Sequence, residues 1–406
     1  MKRIFAVILA VAISVSFSVA AAAEESKTVS MEYPTPDYDK PFTDVIETVA
    51  IGENMEIAAK SAMLIEAHSG TVLYELNADE KLAPASITKI MSLVLIMEAI
   101  EDGRLTLETV ITASEHACSM GGSQIWLEPG EQMTVDELLK AVVIASANDA
   151  TVALGEAVAG SEEGFVALMN SKAAELGMNE TEFKNATGLD AEGHITSAHD
   201  VAVMSAELVK YPLIKNYSTV WMDTLRDGKS ELVNTNRLIR FYSGAFGLKT
   251  GTTSKAGSCL SAAAERDGLC LIAVVMGSST SNDRFNSARK LLDFGFANFS
   301  FLNVKADISE LLPIAVKKGT VRSITPVAEK ELPVLLKKGG GSAIMQEIEI
   351  SDSLTAPIRS GDIIGYVHIK YEDEEIGVIP ITALETSEKV TIWFYLEKLY
   401  RKLFTL

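Results

Sequence analysis

Cysteine is nearly missing from this 406-residue chain, which has three, at positions 118, 259 and 270. So small and odd a count excludes a disulfide-stapled scaffold. One pairing can be tested on the sequence itself. The stretch "SCLSAAAERDGLCLIAVVM" reads as a β-hairpin turning at Glu265–Gly268, with Ala264 opposite Leu269 and Cys270 opposite Ala263. Cys259 then lies four residues further along its strand, roughly 13 Å away at the usual rise per residue and beyond disulfide reach. Free thiols are expected.

Histidine is also scarce. The five, at 68, 116, 194, 199 and 368, form no H-E-x-x-H, and the spacing of His194 and His199 does not share a helical face. With no clustered Cys or His, neither a metal nor an organic cofactor is expected. No G-x-S-x-G elbow occurs, which argues against an α/β-hydrolase triad, and there is no Walker or dinucleotide glycine loop. Positive charge is short as well: 36 Lys and Arg stand against 55 Asp and Glu, a formal charge of −19. Nucleic acid is therefore excluded as a partner.

What is present begins with "MKRIFAVILAVAISVSFSVAAAAEES". A charged start, an apolar run and a small-residue end make residues 1–23 an expected signal peptide. A retained anchor fits less well, because the run is short and ends in alanines. Removing it takes Lys2 and Arg3, and the charge goes from −19 to −21. An exported protein follows, at the outer face of the cytoplasmic membrane. Residues 24–50, with "YPTPDYDKPF", read as an extended leader.

Residues 51–298 then carry mixed signals. "SAMLIEAHSGTVLYELN" reads as two strands around His68-Ser69-Gly70, followed by an apolar helix opening at Ser86. A helical pattern runs from Thr134, which forms a capping box with Glu137, to about Gly188. Another helix spans Thr196 to Lys210, alternation returns from Phe246 to Met276, and a helix ends near Phe296. Residues 304–388 hold short β-branched runs divided by Gly and Pro, a small β-sandwich domain. In the tail, residues 390–406, Glu397, Lys398, Arg401 and Lys402 share one helical face. Ile392, Leu396, Leu399, Tyr400 and Leu403 take most of the rest. This suits a helix lying in a membrane surface and is too short to span one; packing on its own domain is the alternative.

Three short motifs carry chemistry. Ser86-Ile87-Thr88-Lys89 is S-x-x-K, Ser146-Ala147-Asn148 is S-x-N at a helix end, and Lys249-Thr250-Gly251 is K-T-G opening a strand. Ser86 alone reads equally well as a helix N-cap. The ordered set reads as a nucleophile with its base. Ser86 and Lys89 are one turn apart, so the amine can reach Oγ. Burial and a second cation, Lys249, would keep Lys89 neutral part of the time. Ser146 can relay a proton, and Asn148 can hold Lys89 and the substrate backbone.

These motifs, with "GTVLYELNADEKLAPASITKIM", "ELLKAVVIASANDATVALGE", "MNETEFKNATGLDAEGHITSAHD" and "GLKTGTTSKAGSCLSAAA", resemble the low-molecular-weight penicillin-binding proteins that are D-alanyl-D-alanine carboxypeptidases. Ala147 departs from the glycine common there. The resemblance implies an α+β fold: a transpeptidase-like antiparallel sheet flanked by helices, then the all-β domain and amphipathic tail helix. It also implies removal of the terminal D-alanine from peptidoglycan stem peptides, inhibition by β-lactams and, beside the Ser86 N–H expected as one oxyanion donor at the helix start, a second at the Thr252 N–H. Candidates for the substrate carboxylate are Lys249, Thr250, Thr252 and Arg284, the last reading equally as a surface arginine. Gly251 is expected to clear room for the substrate. The rivals are a class A-like β-lactamase, whose E-x-x-L-N is approached only by Glu175-Leu176-Gly177-Met178-Asn179, and a catalytically silent wall-binding protein.

Overall fold

Strands buried on both faces read as continuous apolar runs, and Leu269–Ser278, "LCLIAVVMGS", is one. In the computed structural model, which describes residues 55–338, 344–371 and 374–404, it lies within a five-stranded sheet. The expected signal peptide (1–23) and leader (24–50) lie outside the described residues. Two compact units divide between Ser300 and Phe301.

The first unit is built on strands β1 (Ser61–Glu66), β2 (Val72–Leu76), β3 (Ala245–Thr253), β4 (Gly257–Arg266) and β5 (Leu269–Ser278), in the order β2-β1-β5-β4-β3 and antiparallel throughout. Its helices are α1 (Lys89–Glu101), α2 (Val135–Ile144), α3 (Asn148–Ala159), α4 (Glu162–Glu175), α5 (Ala198–Val209) and α6 (Ser281–Asn298), among shorter pieces. Helix α1 is buried on nearly every side from Lys89 to Met97, as its unbroken apolar sequence requires. Thr134 and Glu137 close the capping box that starts α2. Ser197 caps α5 and Thr280 caps α6, each accepting a backbone N–H through its hydroxyl.

Three sequence expectations need correction. The helical pattern ends at Glu175 rather than near Gly188, because Gly177 takes a left-handed φ of +71° and stops α4. That stop lies within the Glu175–Asn179 segment. The β4–β5 hairpin turns on two residues, Asp267 and Gly268, both at positive φ (+50° and +80°). Arg266 therefore faces Leu269, and Cys270 faces Glu265 rather than Ala263. All three cysteines are free. Finally, the α1 start is a 3₁₀ turn, Ala85–Thr88, and Ser86 makes no capping hydrogen bond there.

Among the described residues, the second unit is all-β up to its last helix. Strands Pro326–Val327, Ile344–Ile350, Ile363–Tyr371 and Glu374–Ala383 make a four-stranded sheet, and Phe299–Lys305 pairs with Glu331–Lys337. Val304, Leu332 and Val334 from the pair share one core with Ile348, Val367, Ile369 and Ile379 from the larger sheet. A helix, Ile392–Phe404, follows with none of its residues buried. No helix among the described residues is long and apolar enough to cross a membrane.

Candidate active site

The 3₁₀ turn brings Ser86 to a half-buried position and rolls directly into α1, so Lys89 starts the helix one turn on. Lys89 is fully buried. Its Nζ lies 3.1 Å from Ser86 Oγ, 2.6 Å from Asn148 Oδ1 and 2.7 Å from the Thr187 carbonyl oxygen. The valence arithmetic is informative. A neutral amine has two N–H groups and one lone pair. Asn148 Oδ1 and Thr187 O can only accept, so they take both hydrogens. The lone pair is left facing the Ser86 hydroxyl, the arrangement a general base needs.

Electrostatics favour that neutral form. Burial holds the Lys89 ammonium well below the usual lysine range, and the charge of Lys249 lowers it further against the opposing pull of Asp149. Lys249 is itself buried and pushed down to about 7, by desolvation first and by Arg284 second. It is therefore still charged in part at neutral pH, and it donates to the Thr250 carbonyl at 3.4 Å.

The S-x-N segment joins α2 to α3. Ser146 is buried in a left-handed conformation, φ +64°, which a non-glycine residue keeps only where its surroundings impose it. Ala147 is fully buried. Asn148 opens α3 and ties the loop before it: its N–H donates to Ser123 O at 2.7 Å and its Nδ2 to Gly121 O at 2.6 Å.

The K-T-G triplet lies in mid-strand rather than opening one, with Lys249 opposite Ser261 and Gly251 opposite Cys259. Strand β3 ends the sheet, so one of its edges has no strand partner among the described residues. Thr250 donates its hydroxyl to Thr235 Oγ1 at 2.7 Å. Gly251 has a structural reason as well. A Cβ there would stand 2.9 Å from the Ser86 nitrogen and 3.1 Å from that of Ile87, so its absence lets β3 close on the turn that carries Ser86. Thr252 is exposed, and its hydroxyl donates to Gly251 O.

Arg284 is no surface arginine. It is buried on α6, and its Nη1 donates to Gly251 O at 2.8 Å, Thr252 Oγ1 at 2.9 Å and Cys259 O at 3.2 Å. It braces β3 and places a fixed positive charge near Lys249. Sequence reasoning missed three contributors: the Thr187 carbonyl, Thr235 and Gly188. The first is a backbone group and leaves no residue signature. The hint lay in "NATGLD", where Asn185 Oδ1 accepts the N–H groups of Thr187 and Gly188 and shapes the loop.

A buried, partly neutral lysine on a serine hydroxyl, at the edge of a sheet, defines a serine hydrolase that works by acyl transfer. The comparisons narrow this. The D-alanyl-D-alanine carboxypeptidase family matches residues 47–280, and the C-terminal domain of penicillin-binding protein 5 matches residues 305–389. The chain is 45% identical to the carboxypeptidase DacF of Bacillus subtilis, over 84% of this chain and 88% of that one. Penicillin-binding protein 5 of Haemophilus influenzae superposes with a TM-score of 0.69 at 29% identity, covering 83% of this chain and 99% of the other. Penicillin-binding protein D2 of Listeria monocytogenes, in its ampicillin-bound form, superposes at 0.55 with 31% identity, over 60% and 99% respectively. The chain belongs to the D-alanyl-D-alanine carboxypeptidase family of serine peptidases. Its reaction is hydrolysis of the bond before a terminal D-alanine.

Proposed function

We propose that Ser86 Oγ attacks the carbonyl of the penultimate D-alanine in a peptidoglycan stem peptide. Lys89 Nζ takes the hydroxyl proton as the new C–O bond forms. The C–N bond then breaks as Lys89 gives that proton up through Ser146 to the departing amine, which leaves Lys89 neutral again, and free D-alanine leaves. Water, deprotonated in turn by Lys89, releases the shortened peptide and restores Ser86. The observation that carries this is the Lys89 nitrogen shared among Ser86 Oγ, Asn148 Oδ1 and Thr187 O.

The N–H groups of Ser86 and Thr252 hold the oxyanion. An extended peptide adds along the open edge of β3, and its carboxylate meets Lys249, Thr250 and Thr252, with Arg284 acting from behind the strand. Asn148 holds the acyl part. Removing the terminal D-alanine would limit wall crosslinking. β-Lactams enter the same site as acylating mimics, a reading supported by the ampicillin-bound relative. The domain limits proposed are residues 51–298 for the catalytic part and 304–388 for the β part. Residues 1–23 direct export, and residues 390–406 hold the protein on the outer face of the membrane. Support for the last is a helix whose Trp393, Leu396, Leu399 and Leu403 are all exposed, with Lys398, Arg401 and Lys402 beside them.

Mass spectrometry of the intact chain after penicillin, then digestion to locate the adduct, tests the assignment. A single adduct on Ser86 lasting minutes supports it. Turnover of many penicillins per second would make the protein a β-lactamase, and no adduct at all would make it a silent wall binder.

A further inference from the structure

The peptide unit joining Ala85 to Ser86 has different neighbours at its two ends. The Ala85 carbonyl accepts the Thr88 hydroxyl at 2.9 Å. Gly188 presses on the same oxygen so closely that a Cβ on it would stand 1.8 Å away. The peptide is trans, so the Ser86 N–H points the opposite way. Fixing the carbonyl therefore fixes the direction of the N–H. Ala85 holds a left-handed φ of +49°, and such a conformation persists only when over-determined from outside.

Thr88 is itself held. Its Oγ1 lies 2.8 Å from His194 Nε2. A hydroxyl has one proton, and here it goes to Ala85 O, so the oxygen must accept from the imidazole. The other ring nitrogen, Nδ1, accepts the Lys184 backbone N–H at 2.8 Å and carries no proton. Both ends of the ring thus set one tautomer, with the proton on Nε2. The ring is 2% exposed and tilted against Phe183. Burial keeps it neutral, with a pKa pushed down to about 4; Lys184 and Lys255 act in the same direction and Asp190 against it.

We propose that His194 and Thr88 are positioning residues that aim the Ser86 N–H at the developing oxyanion by anchoring the carbonyl on the far side of the same peptide. This rests on the reading of that N–H as an oxyanion donor. Neither residue meets substrate, so loss of the anchor slows acylation and leaves binding alone. Losing an oxyanion donor outright costs about 10²–10³-fold; a loosened one should cost about 10–100-fold.

The test is time-resolved acylation of the full chain by a reporter penicillin, resolving the binding constant from the acylation rate constant, beside thermal unfolding. Thr88→Val keeps the shape and removes the hydroxyl. It should slow acylation about 10–100-fold with binding within about twofold. Thr88→Ser restores the hydroxyl and should recover most of the rate. His194→Leu should match Thr88→Val, and His194→Gln, whose amide can still donate, should recover in part. Wild-type acylation in Thr88→Val, a loss that Thr88→Ser does not repair, or a loss confined to binding would each overturn the proposal. A wild-type chain that takes no adduct on Ser86 would instead sink the carboxypeptidase assignment.

Discussion

Lys249 and Lys89 are both buried, and the charge of the first opposes a charge on the second. Removing Lys249 therefore lets Lys89 hold its proton to higher pH. In Lys249→Met the acid limb of the acylation rate should move to higher pH, with weaker binding of any substrate carrying a carboxylate. A pH profile of penicillin acylation reads the first effect, and the same profile with a carboxyl-esterified penicillin separates it from the second. An unmoved acid limb would contradict the coupling.

Lys89→Arg keeps the cation but cannot lose its proton, since a guanidinium stays charged in proteins. It should fall with Lys89→Ala, by about 10³-fold or more in acylation, as expected when an activating base is removed. Labelled penicillin, followed by intact mass, measures it. Rescue by arginine would mean that charge, not proton transfer, is what Lys89 supplies.

The same two lysines oppose folding at neutral pH. A lysine whose folded pKa lies near 7 binds fewer protons than in the unfolded chain, where it titrates near ~10.4. Stability should therefore rise with pH between about 7 and about 10. Lys249→Met should unfold at a higher temperature than the wild type at pH 7 and show a shallower rise toward pH 10. Calorimetry across that range decides it; a variant less stable than wild type throughout would show that Lys249 contributes more by contacts than its burial costs.

Gly188→Ala meets two obstacles, a φ of +87° and the Ala85 carbonyl in the space of its Cβ. A loss of roughly 2–4 kcal/mol is expected, together with slowed acylation. Denaturant unfolding measures the first. Retention of full stability would mean that the loop moves aside easily.

Deleting residues 390–406 should leave penicillin acylation unchanged and release the protein from anionic lipid vesicles. Co-sedimentation checks it. A truncated chain that still sediments with vesicles would move membrane contact elsewhere.

The three motifs were legible because each is held by local geometry. One helical turn separates Ser86 from Lys89, a short link between α2 and α3 carries Ser146 to Asn148, and alternation sets Lys249, Thr250 and Gly251 along β3. What joins them was not legible. The contact between Lys89 and Asn148 spans 59 positions, and its third partner at Thr187 is a carbonyl that any residue could offer. His194 looked like one scattered histidine because its partners, Thr88 and the Lys184 N–H, meet it only in the fold. The hairpin error has a narrower cause. Asp267-Gly268 is a two-residue turn signal, and a four-residue turn shifts every facing pair along β4 and β5. Arg284 reads from the sequence equally well as a surface position, because only the packing of α6 beneath β4 and β5 makes it buried.

Strand β3 is nine residues long and ends its sheet, leaving one margin without a strand neighbour. Such margins are where separate copies of a protein zip together and precipitate. Here Lys249, buried and in part charged, lies midway along that strand. In the proposed reading, a single short guest with a free acid end would match that cation, whereas a second sheet would have to cover an unmatched charge. On that reading, the group that welcomes the substrate would also discourage copies of the molecule from joining along this strand.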